Sequence, residues 1–373
     1  MSAEGINRFT TNILYKLYSA QDFSGNVAFS GISLYVLLGA INVGLRGRSF
    51  DQLSHLLGEN FLNLYYDNNW RNSRQGRIWL HLQSSSDSPT NMNSALFFCT
   101  NISSEYEQIS DFMFRLQKMK SEFTYRDGLT HRINEWIYQR THGFILKMFD
   151  SPILYENMIF IHTMFVGALW LTKFNPELSK KQLFYNNKRE ALEVMMMNQE
   201  SHNKIFDLEG YNFRIIFKPF AYDHFFTAII LPRSGFTVKD VLENINLDEM
   251  SIYFENSTWK YIDLNLPKFQ MSFRTDFVQI LINLGVIDLF DRYLSDFREM
   301  TDYWMFIESL SQLANIAVDE DGVLIAAATE ASVALSQSPR DESYSTKPFM
   351  FFIYSSSSKL VLFSSVVSNP NII

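Results

Sequence analysis

The residue types that do chemistry are sparse in this chain and poorly spaced for it. Seven histidines are scattered over 373 residues. No pair has metal-ligand spacing, and no Cys/His cluster occurs. The single cysteine, Cys99, closes the apolar run Ala95-Leu96-Phe97-Phe98. An intramolecular disulfide is therefore impossible, and the setting predicts a buried, inert thiol. The serines Ser355–Ser358 read as a turn between two strands. There is no Gly-x-Ser-x-Gly elbow and no glycine-rich phosphate loop. Catalytic residues, metals and cofactors are thus expected to be absent, and the chain is not expected to be an enzyme. One segment stands apart. Residues 319–346 begin Asp-Glu-Asp-Gly, continue through a small and apolar stretch from Val323 to Ser336, and end in a polar tail at Thr346. A loop this long inside a compact domain is uncommon and usually functional.

The flanking elements must hold that loop. Residues 7–22 place Phe9, Ile13, Leu14 and Leu17 at a helical period. A short strand at 26–29 leads into an apolar helix at 34–45, with Ser30 and Ser33 as candidate caps. Residues 66–92 are polar and predict an exposed helix plus a loop. A helix at 130–146 carries Ile133, Trp136, Ile137 and Ile145 on one side. Another at 276–284 is stopped by Gly285. Strands are expected at 95–100, 158–171, 213–217, 226–231, 262–266, 269–273, 316–318, 349–354 and 360–367. Helices dominate early and strands late, which predicts an α+β class rather than βαβ alternation. No repeat or linker divides the chain, so residues 1–373 are expected to form one domain.

Hydrophobic residues make up 47% and the net charge is −8, enough for a large core and with no polybasic tract for nucleic acid. No apolar run approaches the roughly 18 residues that a membrane span needs. Residues 1–8 lack the apolar core of a secretory signal. The expectation is a cytoplasmic protein or one exported without a leader, with the extracellular space also open. Asn101-Ile102-Ser103 and Asn256-Ser257-Thr258 then read as chance matches to the glycosylation pattern.

Several blocks, in a fixed order, resemble the serpin family over nearly the whole length. Asn26-Val27-Ala28-Phe29-Ser30 with Ile32-Ser33 is similar to the family's Asn-x-x-Phe-Ser-Pro-x-Ser block. Met164-Phe165 and Trp170 look like the end of the third strand of its main sheet. Phe217-Lys218-Pro219-Phe220, Ile229-Ile230-Leu231-Pro232 and Leu266-Pro267-Lys268-Phe269 follow. Leu284–Phe290, Val318–Gly322, Lys347-Pro348-Phe349 and Asn369-Pro370 complete the set. The chain departs from the pattern at Gly31, at Gly167-Ala168 and at Ser365. In the family's central shutter an asparagine and a histidine bond; here His162 and Gln312 align with them, which predicts a bond with the roles exchanged.

The resemblance implies a serpin fold: about eight or nine helices around three β-sheets, with an exposed reactive centre loop at about 320–347. It implies a suicide inhibitor of serine proteases, which form the covalent partner of a monomeric chain. The protease cuts the loop and becomes acylated. The loop then inserts as a new strand of the main sheet. Glu320, Gly322, Val323, Ile325, Ala326, Ala327, Ala328 and Thr329 would form the hinge. Ser30, Ser33, His162 and Gln312 would form the shutter, with Trp170 and a Lys268–Glu320 ion pair at the breach above it.

Residues 323–336 would make a strand of about 46 Å at roughly 3.3 Å per residue. Val323, Ile325, Ala327, Thr329, Ala331, Val333 and Leu335 share one face, and none is charged, so burial carries no charge penalty. Ile325 is bulky where inhibitory members usually carry alanine, which could slow insertion. Family spacing puts the reactive bond at Ser336-Gln337, and a one-residue shift puts it at Leu335-Ser336. Leu335 suits a chymotrypsin-like pocket, and Val333 and Ala334 suit elastase-like ones. Arg340 would attract a trypsin-like protease and ranks second. The alternative is a non-inhibitory serpin acting as a binder or chaperone. Arg71, Arg74 and Arg77 fall on one face if 68–80 is helical, a candidate site for a heparin-like polyanion, with Lys118 and Lys120 nearby.

Overall fold

The computed structural model describes residues 2–65, 70–86, 90–120, 126–141, 143, 145, 147–149, 158–323, 341–344 and 346–372, the backbone alone for 63, 74, 83–86, 126–127 and 341–344. Among them are nine α-helices and sixteen strands, in an α+β arrangement. The chain clusters into two compact units that interleave along the sequence.

The first unit is built from residues 33–165 and 274–314. Helix Gly31–Asn42 supplies its centre and is buried along its whole length. That follows from a sequence apolar on every side, which lets a helix be surrounded rather than laid on a surface. Gly39 makes a close approach: a Cβ there would lie 2.7 Å from Phe114 and 2.8 Å from Trp79. Tyr35 stacks on Trp79 at 5.5 Å and Phe114 meets it edge-on at 5.0 Å. Helix Arg126–Arg140 buries Ile133, Trp136 and Ile137 against Ala95, Phe97, Ile159, Ile161 and Leu313. The helix stops short of the expected 146. Ile145 still packs on that cluster, beyond a turn at Gly143, whose φ of +81° favours glycine. Strands Leu116–Lys120, Thr90–Phe98, Met158–Val166 and Ile307–Val318 lie side by side in that order.

The second unit comprises residues 2–32, 166–273 and 315–373. Helix Ala3–Ser19 starts at Ser2, whose side chain accepts from the Gly5 amide, and buries the expected Phe9, Ile13, Leu14 and Leu17. A nine-stranded sheet has Phe349–Ser355 and Leu360–Val367 near one end, buried at every position. Its 16-residue strand Ala191–Phe206 was not foreseen. That strand pairs with Lys180–Tyr185, with Thr258–Pro267 and, at its far end, with Phe213–Pro219. It thereby fuses what would be two sheets, so the described strands form two hydrogen-bonded networks where three sheets were expected. Beyond the long loop the chain re-enters as Asp341–Tyr344, parallel to Thr258–Pro267 with Asp341 opposite Ile262.

Candidate functional site: the base of the long loop

The upper end of strand Ile307–Val318 turns back on itself through Asp319. The Asp319 carboxylate accepts from the amides of Asp321 (2.9 Å) and Gly322 (3.1 Å), and its own amide donates to the Gly322 carbonyl at 3.0 Å. This closes a tight Asx-type turn. Gly322 and Val323 then run as a short strand. Val323 pairs with Val318 on one side and Ala168 on the other, and Gly322 pairs with Leu169. The first two residues of the loop therefore already occupy a strand position. A Cβ on Gly322 would lie 2.2 Å from the Ala168 carbonyl oxygen, so only glycine fits.

Trp170 anchors the turn by its backbone and its ring. Its amide donates to the Asp321 carbonyl and its indole N–H to the Asp319 carbonyl, both at 3.0 Å. The ring lies nearly parallel to Phe220 at 4.9 Å and edge-on to Phe174 at 6.1 Å. The Phe174 amide donates to the Glu320 carbonyl. The expected ion pair is present: Lys268 Nζ meets Glu320 Oε2 at 2.8 Å, and Ser179 Oγ donates to Oε1 at 2.9 Å. Burial pushes the Glu320 carboxyl up, but the bonds from Lys268, its own amide and Ser179 together hold it below the usual carboxylate range. Lys173 pairs with Asp321 at 2.9 Å.

One contributor was legible only as part of a motif. Lys218 is 1% exposed. Its ammonium donates to the Thr172 carbonyl at 2.9 Å and to Gln199 Oε1. It faces the Trp170 ring at 5.1 Å and the Phe174 ring at 4.6 Å. Burial drives its pKa well below that of a free lysine, and no carboxylate among the described residues is bonded to it. No periodicity reveals a lysine turned inward; the signal was its place between Phe217 and Pro219 in an otherwise apolar strand.

The shutter residues are placed differently from expectation. His162 and Gln312 do not bond to each other. His162 Nδ1 pairs with Ser94 Oγ at 2.8 Å, and Nε2 is buried with no partner among the described residues. Burial lowers the imidazole pKa to about 3, so the ring is neutral at ordinary pH. Gln312 instead donates to Ser33 Oγ at 3.0 Å. The exchange of roles fails because a serine has taken up each side chain first. Ser33 lies inside helix Gly31–Asn42 rather than at its cap, and Ser30 Oγ donates to the Leu362 carbonyl at 2.7 Å.

The arginine cluster is not one helical face. Trp70–Asn72 is a separate 3₁₀ turn, and the α-helix begins at Arg74. Arg71 bonds Gln108 at 3.0 Å and lies over the Trp70 ring at 4.3 Å. Arg77 is exposed. Lys118 is drawn to the Glu107 carbonyl and Lys120 to Asn101. Ile325, Ala326, Ala327, Ala328, Thr329, Leu335, Ser336, Gln337 and Arg340 lie outside the described residues. Among the described residues no helix is long and apolar enough to cross a membrane.

The comparisons with known proteins agree with this geometry. A family model described as Serpin (serine protease inhibitor) matches residues 4–370. The leukocyte elastase inhibitor of Xenopus laevis is 24% identical, the alignment covering 96% of each chain. The structure of native protease nexin-1 with heparin superposes with a TM-score of 0.85 at 20% identity, over 99% of both chains. Human thyroxine-binding globulin in complex with thyroxine gives the same TM-score at 18% identity, over 99% of this chain and 98% of that one. A match of this extent, on a chain whose loop base carries Trp170, Lys268 and Glu320 together, places the protein in the serpin family.

Proposed function

We propose that the chain inhibits serine proteases by loop cleavage, covalent acyl-enzyme trapping and insertion of the cleaved loop as a strand. The observation that carries this reading is the pairing of Gly322 and Val323 between Val318 and Ala168–Leu169. A loop whose first two residues already sit in strand register needs only propagation of that ladder. The uncharged alternation from Val323 to Leu335 supports it, since each inward side chain can be buried without a partner. The inhibitory name of the amphibian relative points the same way. The reactive bond falls at Leu335-Ser336 or Ser336-Gln337, so chymotrypsin- or elastase-like proteases are the targets, with Arg340 and a trypsin-like protease second.

A carrier role is the competing reading, favoured by the equal likeness to thyroxine-binding globulin in complex with thyroxine. The test is incubation with excess chymotrypsin, elastase or trypsin, read on a denaturing gel and by fragment mass. An inhibitor gives an SDS-stable complex and, after cleavage, a melting temperature raised by tens of degrees. A carrier gives cleavage without the complex, and that outcome with an unchanged melting temperature overturns the proposal. The heparin in the nexin-1 structure keeps a polyanion partner in view, carried here by Arg77 with Arg74 three residues before it.

A further inference from the structure

Exposed aromatic rings are normally scattered singly, but the segment between residues 291 and 306 gathers three of them around one cavity. Tyr293 and Trp304 are each 82% exposed and Tyr303 is 55% exposed. All three line a cavity of about 400 Å³ within the first unit, a volume typical of small-ligand sites. None of the three rings stacks on another or on any described ring, so each presents a free face. Leaving this much aromatic surface in water is unfavourable and signals a binding role when the surface is concave and grouped.

The cavity is rigid rather than a loose loop. Phe297 and Met305, at 3% and 5% exposure, are its buried floor. Ser295 Oγ donates to the Met305 carbonyl at 2.7 Å, tying the two ends of the segment together. Asp291 caps the amides of Tyr293 (2.7 Å) and Leu294 (3.2 Å). The Met300 amide is held by the Gly44 carbonyl and the Asp296 carbonyl accepts from the Arg46 amide. These bonds hold the backbone that carries the rings.

The charge of the lining selects the occupant. Arg298 also faces the cavity, but its charge is paired with that of Asp296 through two bonds, at 2.7 and 2.6 Å. Asp302 is exposed, next in sequence to Tyr303 and Trp304, and bonds to no described residue. Free ring faces and one uncompensated carboxylate are the complement of an organic cation: the rings attract it through their quadrupoles and the carboxylate through its charge. We propose that this cavity binds an ammonium or guanidinium group, held between Trp304 and the tyrosines with Asp302 as counter-ion. An anionic or neutral occupant would leave Asp302 opposed or unused. Two sources present such a group: a free quaternary ammonium compound, or a basic side chain of a partner protein.

The test uses the full chain and two probes, choline and N-acetyl-arginine amide, followed by saturation-transfer NMR of the probe protons. At least one should bind saturably in about the millimolar range expected for a few cation–π contacts. Trp304→Ala should weaken it roughly tenfold and Asp302→Asn roughly fivefold, with melting temperatures unchanged because both side chains are exposed. The neutral isostere 3,3-dimethyl-1-butanol should bind at least tenfold more weakly than choline. Tighter binding of choline identifies a free ammonium compound as the source, and tighter binding of the arginine amide identifies a partner's side chain. Failure of both probes to bind, equal binding of the neutral isostere, or binding that ignores both substitutions overturns the proposal.

Discussion

Two polar regions of this molecule are constructed on opposite lines. At the loop base, five consecutive residues from Asp319 to Val323 are gripped from several sides: by Trp170 through two bonds, by Lys268 and Ser179 on Glu320, by Lys173 on Asp321, and by strand pairing at Gly322 and Val323. Around His162, in the other unit, the grip is looser: the ring has one bond, to Ser94. Among the described residues His162 Nε2 and Thr163 Oγ1 are both buried without a partner. An unmet buried polar atom costs about 1–3 kcal/mol, whereas the bonds at the loop base each add about 1. The loop base is held in one place, while the strands near His162 carry an unrelieved cost. On the proposed inhibitory reading that contrast suits a strand start that stays fixed beside strands that rearrange.

The largest effect should come from filling the one space that has no slack. Gly322→Ala places a methyl group 2.2 Å from a backbone oxygen, so the Gly322–Val323 strand must leave its place. We expect at least a tenfold loss of stable-complex formation, measured on denaturing gels, and about 1–3 kcal/mol of destabilisation in urea. An unaffected variant would mean that this strand is incidental to function.

Next comes Lys218. Lys218→Ala removes a packed stem and one of the two donors to Gln199 Oε1, the other being Ser201 Oγ, at a cost of about 2–4 kcal/mol. Lys218→Met keeps the volume and removes the buried charge, and should stay within about 1 kcal/mol of the parent or exceed it. Equal losses for both would assign the role to the ammonium rather than to packing.

His162 should reveal itself by pH. Its folded pKa of about 3 lies below the ordinary 6.5, so the unfolded chain binds the proton more readily. Its contribution is therefore complete above pH 6.5 and is lost as pH falls toward 3, at about 1.4 kcal/mol per unit. His162→Asn should remove that slope from the stability curve, and a slope that persists would place its origin elsewhere.

The smallest effect belongs to Lys268. Its side chain is 47% exposed, so Lys268→Ala should cost no more than about 1 kcal/mol. Glu320 is held below its ordinary value, so this contribution is present above the carboxylate range and fades as pH falls through the folded value. Thermal melts at pH 7 and pH 3 should show a difference from the parent only at the higher pH.

The loop and its anchors were readable because their signals are local. A run of small residues after Asp319-Glu320-Asp321-Gly322 looks like neither helix nor strand, and Trp170, Lys268 and Glu320 sit in recognisable blocks. Pairing at a distance was not readable. Nothing in the sequence says that Ser94 reaches His162 before Gln312 does. Strand Ala191–Phe206 was missed because it alternates buried and polar residues while changing partners along its length. The helical face expected at Arg71, Arg74 and Arg77 was broken by a 3₁₀ turn whose cause lies in tertiary packing of Trp70. Helix Gly31–Asn42 was visible because apolarity on all sides requires no knowledge of its neighbours.

The return strand Asp341–Tyr344 bears on which bond a protease can reach. A protease cleft grips several residues on each side of the bond it cuts, and the substrate must lie extended and unshared while gripped. Asp341 is already in ladder register with Ile262. A cleft centred on Arg340 would have to peel that strand away to seat the residues that follow, and the ladder would compete with the enzyme for the same backbone groups. The bonds Leu335-Ser336 and Ser336-Gln337 stand five and four residues before that ladder in the sequence. On the proposed inhibitory reading that spacing, set by the sheet and independent of side-chain taste, favours cleavage at 335–337 over cleavage at Arg340.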